Sequence, residues 1–296
     1  FAYIVGKRTA GLPCAVIVTC IFYGAISGSG PATTAAVGAM CIPLLIRLGY
    51  NKNFSAAMVA VAGSLGVVIP PSLIFVMFGV TTGESVGDLF IAGIIPGILI
   101  GISLMVWAYI YCKKNGEDKA KIEANYRELK ERGFLNVFKD GFWALLTPVI
   151  ILGGIYSGIV TPTEAACLSV FYALIVSLFI YKTMKFRDIK IFLMEAINSY
   201  TPMCLLLAFA IAFSRVLTLL KAPQMLSAFL GSTFGSATTF LIAVNVAMFI
   251  IGMFMDTGSV LTILAPLLIV TVKDLGISSS CQSSGQLGWI RSILVL

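Results

Sequence analysis

Long apolar runs alternate with short polar segments along the chain, and the first run is itself interrupted. Two charge-free apolar arms, residues 12–26 and 35–46, flank the polar stretch SGSGPATT at residues 27–34. Each arm of roughly 15 residues gives about 22 Å of helix, which is short of the roughly 30 Å hydrocarbon core. Irregular backbone at membrane depth is tolerated where protein buries it or where it lines a cavity. The pattern predicts a re-entrant helical hairpin whose polar tip reaches the middle of the bilayer.

The next apolar run, residues 54–80, contains Pro70-Pro71 near its centre. Two consecutive prolines cannot continue a helix, so we predict a discontinuous span. Further spans are predicted at residues 89–111, 142–159, 165–180 and 191–213, and Pro162 with Glu164 marks a helix start. The charged stretch 113–140 predicts a solvated cytoplasmic helix. The positive-inside rule fits each crossing until Arg215 and Lys221, which it leaves unexplained.

The interruption recurs near the end of the chain. Residues 256–259 separate the apolar arms 240–255 and 260–272, and a shift of 227 places Ser29 on Asp256. Counting crossings makes this second hairpin enter from the opposite side, which is the inverted repeat of secondary transporters. We therefore predict an all-α polytopic membrane protein with two re-entrant hairpins and a broken helix. The predicted segments are a first half at 1–112, a linker at 113–140, a second half at 141–277 and an atypical tail at 278–296.

Composition narrows the class of protein. The chain is 59% hydrophobic and 11% charged, whereas soluble domains carry about 25% charged residues. It has no histidine, which excludes histidine proton relays, His–Cys zinc sites and Ser-His-Asp triads. We interpret the seven cysteines as small hydrophobic residues. We assign the net charge of +7 to cytoplasmic loops rather than to nucleic-acid binding.

Five motifs then occur in a recognisable order. They are SGSGPAT at 27–33, GVVIPPS at 66–72, LFIAGIIPG at 89–97, TPTEAA at 161–166 and MDTGS at 255–259. With these motifs, residues 1–277 resemble the large membrane subunit (M subunit, DctM-like) of tripartite ATP-independent periplasmic (TRAP) transporters.

The resemblance implies an elevator-type, sodium-coupled importer of organic anions such as C4-dicarboxylates, sialic acids or related acid sugars. It also implies a multi-pass protein of the bacterial inner membrane that works with a small four-helix membrane subunit and a periplasmic binding protein. Compared with the family, the first membrane helices and the second broken helix are missing from the sequence, so we expect a fragment. The alternatives are an ion channel with re-entrant loops and a non-functional truncated gene product.

Glycines and neutral or acidic oxygens at the interruptions are the predicted ion and substrate ligands. A hard cation such as sodium prefers oxygen ligands, and an intramembrane carboxylate is a functional candidate by default. Sodium is expected as the coupling ion, without a further cofactor. Helix capping and close helix packing are the structural alternatives for the same residues. The candidates are Ser27, Gly28, Ser29, Gly30, Thr33, Thr34, Gly63, Ser64, Gly66, Asp256, Thr257, Gly258 and Ser259.

Overall fold

A computed structural model describes residues 3, 6, 8–131, 134–221, 225, 237–254 and 257–274. Throughout these ranges the regular structure is helical, as the sequence predicts. The helices are α1 Gly11–Ser27, α2 Gly30–Arg47, α3 Lys52–Gly63, α4 Leu65–Val68, α5 Leu73–Thr82, α6 Val86–Asn115, α7 Lys119–Glu131, α8 Phe134–Tyr156, α9 Pro162–Ile175, α10 Asp188–Leu219, α11 Ala237–Gly252 and α12 Thr257–Asp274. A π-helical turn, Val176–Ile180, continues α9.

Several of these helices are long and apolar enough to cross a membrane. Within the described residues there are five: Gly30–Arg47, Lys52–Thr82, Val86–Asn115, Pro162–Ile180 and Asp188–Leu217. Shorter apolar helices occur at Gly11–Ser27, Gly141–Tyr156 and Ile242–Gly252. Only 6% of the apolar window in Asp188–Leu217 is buried by protein. Large apolar side chains on the outside of such helices are expected in lipid, which supports a multi-pass membrane protein.

The contacts divide the chain into two compact units. The first contains the described parts of Phe1–Leu73 and Gly93–Ile180, and the second those of Ile74–Ala92 and Tyr181–Leu296. This division does not follow chain order, because residues 74–92 of the second unit interrupt the first unit along the sequence. The predicted halves, linker and tail stay predictions.

In the first unit, α1 to α4 pack with the end of α6 around one hydrophobic core. Its members are apolar residues from one face of each helix. The most deeply buried are Ala10, Ile17, Cys20, Leu45, Met58, Val59, Ala62, Leu65, Ala108 and Cys112.

The prediction of a broken span is confirmed. Helix α4 ends at Val68, the chain passes through Pro70-Pro71, and α5 begins at Leu73. A second interruption, which the sequence pattern did not predict, lies at Ser64 between α3 and α4. A break exposes backbone groups that a continuous helix would pair internally, so these groups need other partners.

The two hairpin arms are longer than the pattern predicts. Helix α1 has 17 residues and α2 has 18, which correspond to about 26 and 27 Å. Helix α2 begins at Gly30, within the polar stretch that separates the two predicted arms. Because α2 is long enough to cross a membrane, length does not separate a re-entrant hairpin from two spans. Re-entry stays a prediction.

The predicted start of α9 is confirmed, and part of the charged stretch is an exposed helix, whereas its cytoplasmic location stays a prediction. Helix α7 is charged and largely exposed, and it begins with an ion pair of 3.0 Å between Lys121 Nζ and Asp118 Oδ2. Helix α9 begins with a reciprocal cap between Thr161 and Glu164. In this cap the Glu164 N–H donates to Thr161 Oγ1, and the Thr161 N–H donates to Glu164 Oε2 at 2.8 Å.

Candidate functional site

Gly28 forms the turn between the hairpin arms and docks it on the broken span. Its φ of +63° is left-handed, and its N–H donates to the Gly24 carbonyl at 2.8 Å. Its own carbonyl accepts from the Leu73 N–H at 3.1 Å, directly after the proline pair. A Cβ on Gly28 would lie 2.9 Å from the Pro71 carbonyl oxygen. Only glycine combines this φ with so close an approach.

Three oxygen atoms of the tip lie together beside this turn. Thr33 is fully buried, and its hydroxyl donates to the Ser29 carbonyl at 2.8 Å. Ser27 Oγ lies 2.9 Å from Thr33 Oγ1. Ser29 occupies the N-cap position of α2 but makes no side-chain capping bond. Capping therefore does not account for the Ser29 hydroxyl, whereas Thr33 and Ser27 take part in a compact oxygen cluster.

Glycines of the broken span form the surface against which this cluster lies. A Cβ on Gly66 would lie 2.5 Å from Thr33 Oγ1 and 3.0 Å from the Ser29 carbonyl oxygen. A Cβ on Gly63 would overlap the Thr34 side chain, and one on Gly30 would lie 3.5 Å from the Gly63 carbonyl oxygen. The close packing that the sequence left as an alternative is therefore present. It also brings the oxygens of the tip to the broken backbone.

The structure thus brings together most of the first predicted set. The residues that meet are Ser27, Gly28, Ser29, Gly30, Thr33, Thr34, Gly63 and Gly66. The Ser64 hydroxyl is exposed and donates to the Val61 carbonyl at 2.7 Å, so its side chain turns back to its own helix. Only the Ser64 backbone approaches the tip, because a Cβ on Gly30 would lie 3.6 Å from the Ser64 Cα.

Two residues at this junction were missed by sequence reasoning. Gly24 lies directly against Gly66, and its spacing to Gly28 forms the small-residue pattern GxxxG that could have revealed it. Ser72 is only 1% exposed, and its hydroxyl donates to the Val67 carbonyl at 2.5 Å across the proline pair. Ser72 therefore takes one of the carbonyls freed by the helix break.

The electrostatic character of the tip is neutral. The first acidic residue of the chain is Glu84, so no carboxylate occurs in the sequence that forms the hairpin and the break. Within the described ranges, no group of three or more His, Cys, Asp or Glu could hold a metal ion. The hydroxyls and carbonyls of the tip suit a hard monovalent cation better than a divalent one, because divalent ions usually recruit carboxylates.

The second interruption is described only in part. Asp256 lies outside the described residues, as does the side chain of Ser259. Thr257 is exposed at the start of α12, and Gly258 is buried. Thr262, which sequence reasoning missed, is 1% exposed, and its hydroxyl donates to the Gly258 carbonyl at 2.6 Å.

The Thr262 hydroxyl, like those of Thr33 and Thr19, donates to the carbonyl four residues earlier in the chain. Arg215 is exposed on α10. In α11, Asn245 Oδ1 is buried without a hydrogen-bond partner among the described protein atoms.

Comparison with known proteins decides the family. The family model described as "Tripartite ATP-independent periplasmic transporter, DctM component" matches residues 1–282. The chain belongs to the DctM family. The predicted resemblance to the TRAP large membrane subunit is therefore confirmed.

Curated relatives of this DctM-family chain are named as permeases. It is 42% identical to an isethionate TRAP transporter permease protein DctMQ of Oleidesulfovibrio alaskensis, covering 92% of this chain and 42% of that protein. It is 39% identical to a C4-dicarboxylate TRAP transporter large permease protein of Pseudomonas aeruginosa, and the match covers 92% of this chain and 62% of that protein. It is 36% identical to the 2,3-diketo-L-gulonate TRAP transporter large permease protein of Escherichia coli, and the match covers 93% of this chain and 63% of that protein. The chain therefore spans less than two thirds of these relatives.

Proposed function

We propose that this chain carries part of the transport path of a sodium-coupled secondary importer of organic anions, and that the α1–α2 tip is a sodium site. The observation that supports this most directly is the buried Thr33 hydroxyl. It lies in an oxygen cluster with Ser27 and Ser29 and is docked by Gly28 on the break after α4. Freed carbonyls and helix ends at a broken helix are the usual ligands of sodium in transporters.

The neutrality of the tip gives the ion a second role. The Thr33 hydroxyl donates its proton to the Ser29 carbonyl and can accept from the Ser27 hydroxyl, so its oxygen keeps one lone pair for a cation. A sodium ion held by uncharged oxygens keeps its full positive charge. In a medium of low dielectric constant this charge attracts an anion strongly. The N-terminus of α2, which starts beside the ion, adds to the same attraction. Sodium binding would thus prepare the binding site of the substrate anion.

The docking of the hairpin links ion occupancy to conformation. Ser27 and Ser29 belong to the hairpin, while Gly66 and Leu73 belong to the broken span. An ion that bridges both parts would stabilise the docked arrangement over any arrangement in which they separate.

We assign the second half of an inverted, elevator-type repeat to α11, α12 and the candidates Asp256, Thr257, Gly258 and Ser259.

The substrate is proposed only by class. Relatives carry names that specify C4-dicarboxylate, isethionate and 2,3-diketo-L-gulonate, and others name ectoine. We propose a small organic anion, with dicarboxylates and acid sugars such as sialic acid as the classes to test first. A periplasmic binding protein and a small membrane subunit are the proposed partners, and the bacterial inner membrane is the proposed location.

The test compares two threonines of the same hairpin. Thr33→Val removes the buried hydroxyl at the tip, while Thr19→Val removes a hydroxyl that only donates to the Ala15 carbonyl within α1, at 2.8 Å. Both variants are made in the same protein and are reconstituted with the proposed partners. Uptake is measured against sodium concentration. Loss of one ligand should raise the half-maximal sodium concentration about tenfold in Thr33→Val.

Thr19→Val should keep the sodium dependence of the unmodified protein. Binding of radioactive sodium to the purified protein gives the same comparison without a substrate. If Thr33→Val and the unmodified protein have the same sodium dependence in both assays, the tip is not the sodium site.

A further inference from the structure

One carboxylate contacts both outer ends of the α1–α2 hairpin. The Ala10 N–H, which precedes α1, lies 3.0 Å from both carboxylate oxygens of Glu117. The Tyr50 hydroxyl, which follows α2, donates to Glu117 Oε1 at 2.6 Å. Hydrogen bonds to an ionised acceptor are about twice as strong as neutral ones. The hairpin is therefore fastened at its base by a residue that lies 67 positions beyond Tyr50 in the chain.

The local backbone explains how Glu117 reaches this position. Helix α6 ends at Asn115, and Gly116 turns the chain with a φ of +75° while its N–H caps the Cys112 carbonyl at 3.0 Å. Helix α7 resumes at Lys119. The turn also touches the loop after α2, because a Cβ on Gly49 would lie 3.2 Å from the Asp118 Cβ. Glu117 is thus fixed on a tight turn directly against the base of the hairpin.

An aromatic cluster holds the phenol in place. The rings of Phe54 and Tyr111 stack at 4.1 Å with an interplanar angle of 4°, and Tyr50 stacks on Phe54 at 6.4 Å. Trp107 extends the cluster at 5.7 Å from Tyr111. These contacts join the loop after α2 to the end of α6. The Tyr50 hydroxyl therefore meets Glu117 from a ring whose position is already set by packing.

Charged side chains surround the Glu117 carboxylate. It lines a cavity of about 180 Å³ together with Arg8, Thr9, Lys119, Ile122 and Glu123. Two cations, Arg8 and Lys119, thus share the cavity with two carboxylates. Burial raises the pKa of the Tyr50 phenol, and its hydrogen bond to Glu117 raises it further. The phenol therefore keeps its proton and remains a donor.

We propose that Glu117 is a positioning residue for the sodium site: by holding both ends of the hairpin, it sets where the tip meets the broken span. This inference rests on the proposed function. Helices α1 and α2 act as rods about 26 Å long, so a rotation of about 10° at the base moves the tip by about 4.5 Å. Ligand sites tolerate displacements of only about 0.5 Å.

The experiment compares four single variants and one double variant with the unmodified protein. Glu117→Ala removes the acceptor, Glu117→Gln keeps one acceptor oxygen without charge, and Tyr50→Phe removes only the phenol hydroxyl. Glu123→Gln is the matched control, because Glu123 lines the same cavity but pairs with Arg127 at 4.0 Å. Two quantities are measured: the half-maximal sodium concentration for uptake, and the amide hydrogen exchange of residues 27–34.

We expect Glu117→Ala and Tyr50→Phe to raise the half-maximal sodium concentration about tenfold and to speed exchange at the tip by a similar factor. Glu117→Gln should have an intermediate effect, and Glu123→Gln should change neither quantity. The double variant Glu117→Ala/Tyr50→Phe should be no worse than Glu117→Ala, because both changes remove the same bond.

A merely structural role would lower the unfolding temperature but leave the sodium dependence and the tip exchange unchanged, and that result overturns the proposal. If the unmodified protein takes up substrate without sodium, the proposed function fails. The hydrogen-exchange measurement alone then tests whether Glu117 positions the tip. Faster exchange in Glu117→Ala and Tyr50→Phe, but not in Glu123→Gln, then supports the positioning role, and equal exchange refutes it. If Glu117→Ala does not fold, Tyr50→Phe provides the same comparison.

Discussion

Gly24 of the hairpin and Gly66 of the broken span touch backbone to backbone. A Cβ added to Gly24 would lie 2.6 Å from the Gly66 Cα, which no real side chain could occupy. The contact lies one helical turn from Gly28, whose carbonyl binds the Leu73 N–H. The absence of two side chains thus allows the tip to reach the break.

Replacing Gly66 by alanine should therefore separate the hairpin from the broken span. The new methyl group would meet Thr33 Oγ1 and the Ser29 carbonyl oxygen, at 2.5 and 3.0 Å. We expect a loss of about 1–3 kcal/mol in the free energy of unfolding, and strongly reduced uptake. Equilibrium unfolding in detergent and uptake by reconstituted protein measure the two effects.

Gly153→Ala is the control for this substitution. Gly153 lies in α8, and a Cβ there would meet no atom within 4 Å. Alanine should be neutral or should stabilise α8 by up to about 1 kcal/mol, because alanine has the higher helix propensity. Equal stability of Gly66→Ala and the unmodified protein would show that the close contact is not required.

Thr161→Ala should weaken the start of α9. It removes the hydroxyl that accepts from the Glu164 N–H and leaves the first turn with an unpaired donor. The expected cost is about 1 kcal/mol of unfolding free energy. Ser169→Ala, in which the lost hydroxyl only donates to the Ala166 carbonyl inside the helix, should cost clearly less. If Ser169→Ala lost more unfolding free energy than Thr161→Ala, the cap would not be stabilising.

The stability of the hairpin base should fall at alkaline pH. Burial and the hydrogen bond to Glu117 raise the pKa of Tyr50 above its ordinary value of 10.0. The folded state therefore keeps a proton that the unfolded state loses, so its contribution is complete below pH 10.0 and declines as the pH rises further. Between about pH 9 and about pH 11 the unmodified protein should lose more unfolding free energy than Tyr50→Phe. Equal losses of unfolding free energy in the two proteins would contradict a contribution of the Tyr50 proton to stability.

Asp256→Ala in the full-length protein should weaken the sodium dependence of uptake more than it weakens folding. The prediction comes from the cost of an intramembrane carboxylate, which is retained where it has a function. Asp256→Asn separates the alternatives, because asparagine caps a helix as well as aspartate but carries no charge. If Asp256 is only a cap, asparagine should preserve sodium activation. If it binds the ion, both variants should need more sodium.

Local signals in the sequence predicted some elements of the first unit, but they missed the break at Ser64. Pro70-Pro71 predicts the break after α4 because proline cannot donate to a helix. Thr161 and Glu164 predict the start of α9 because their side chains pair with the first free N–H groups. The length of the second hairpin arm was underestimated, because residues 30–34 were counted as part of the polar interruption although they belong to α2.

The sequence by itself determined which groups the site contains. It shows a segment without acidic residues, a polar interruption between apolar arms and a proline pair that breaks a helix. Only the tertiary structure decided which of these groups meet. It buried Thr33 beside Ser27, placed Gly24 against Gly66 and fastened the hairpin to Glu117. These pairings join residues of different helices or loops, or depend on how closely two backbones approach. Hydrophobic periodicity records which face of a helix is buried, but not the partner that it meets.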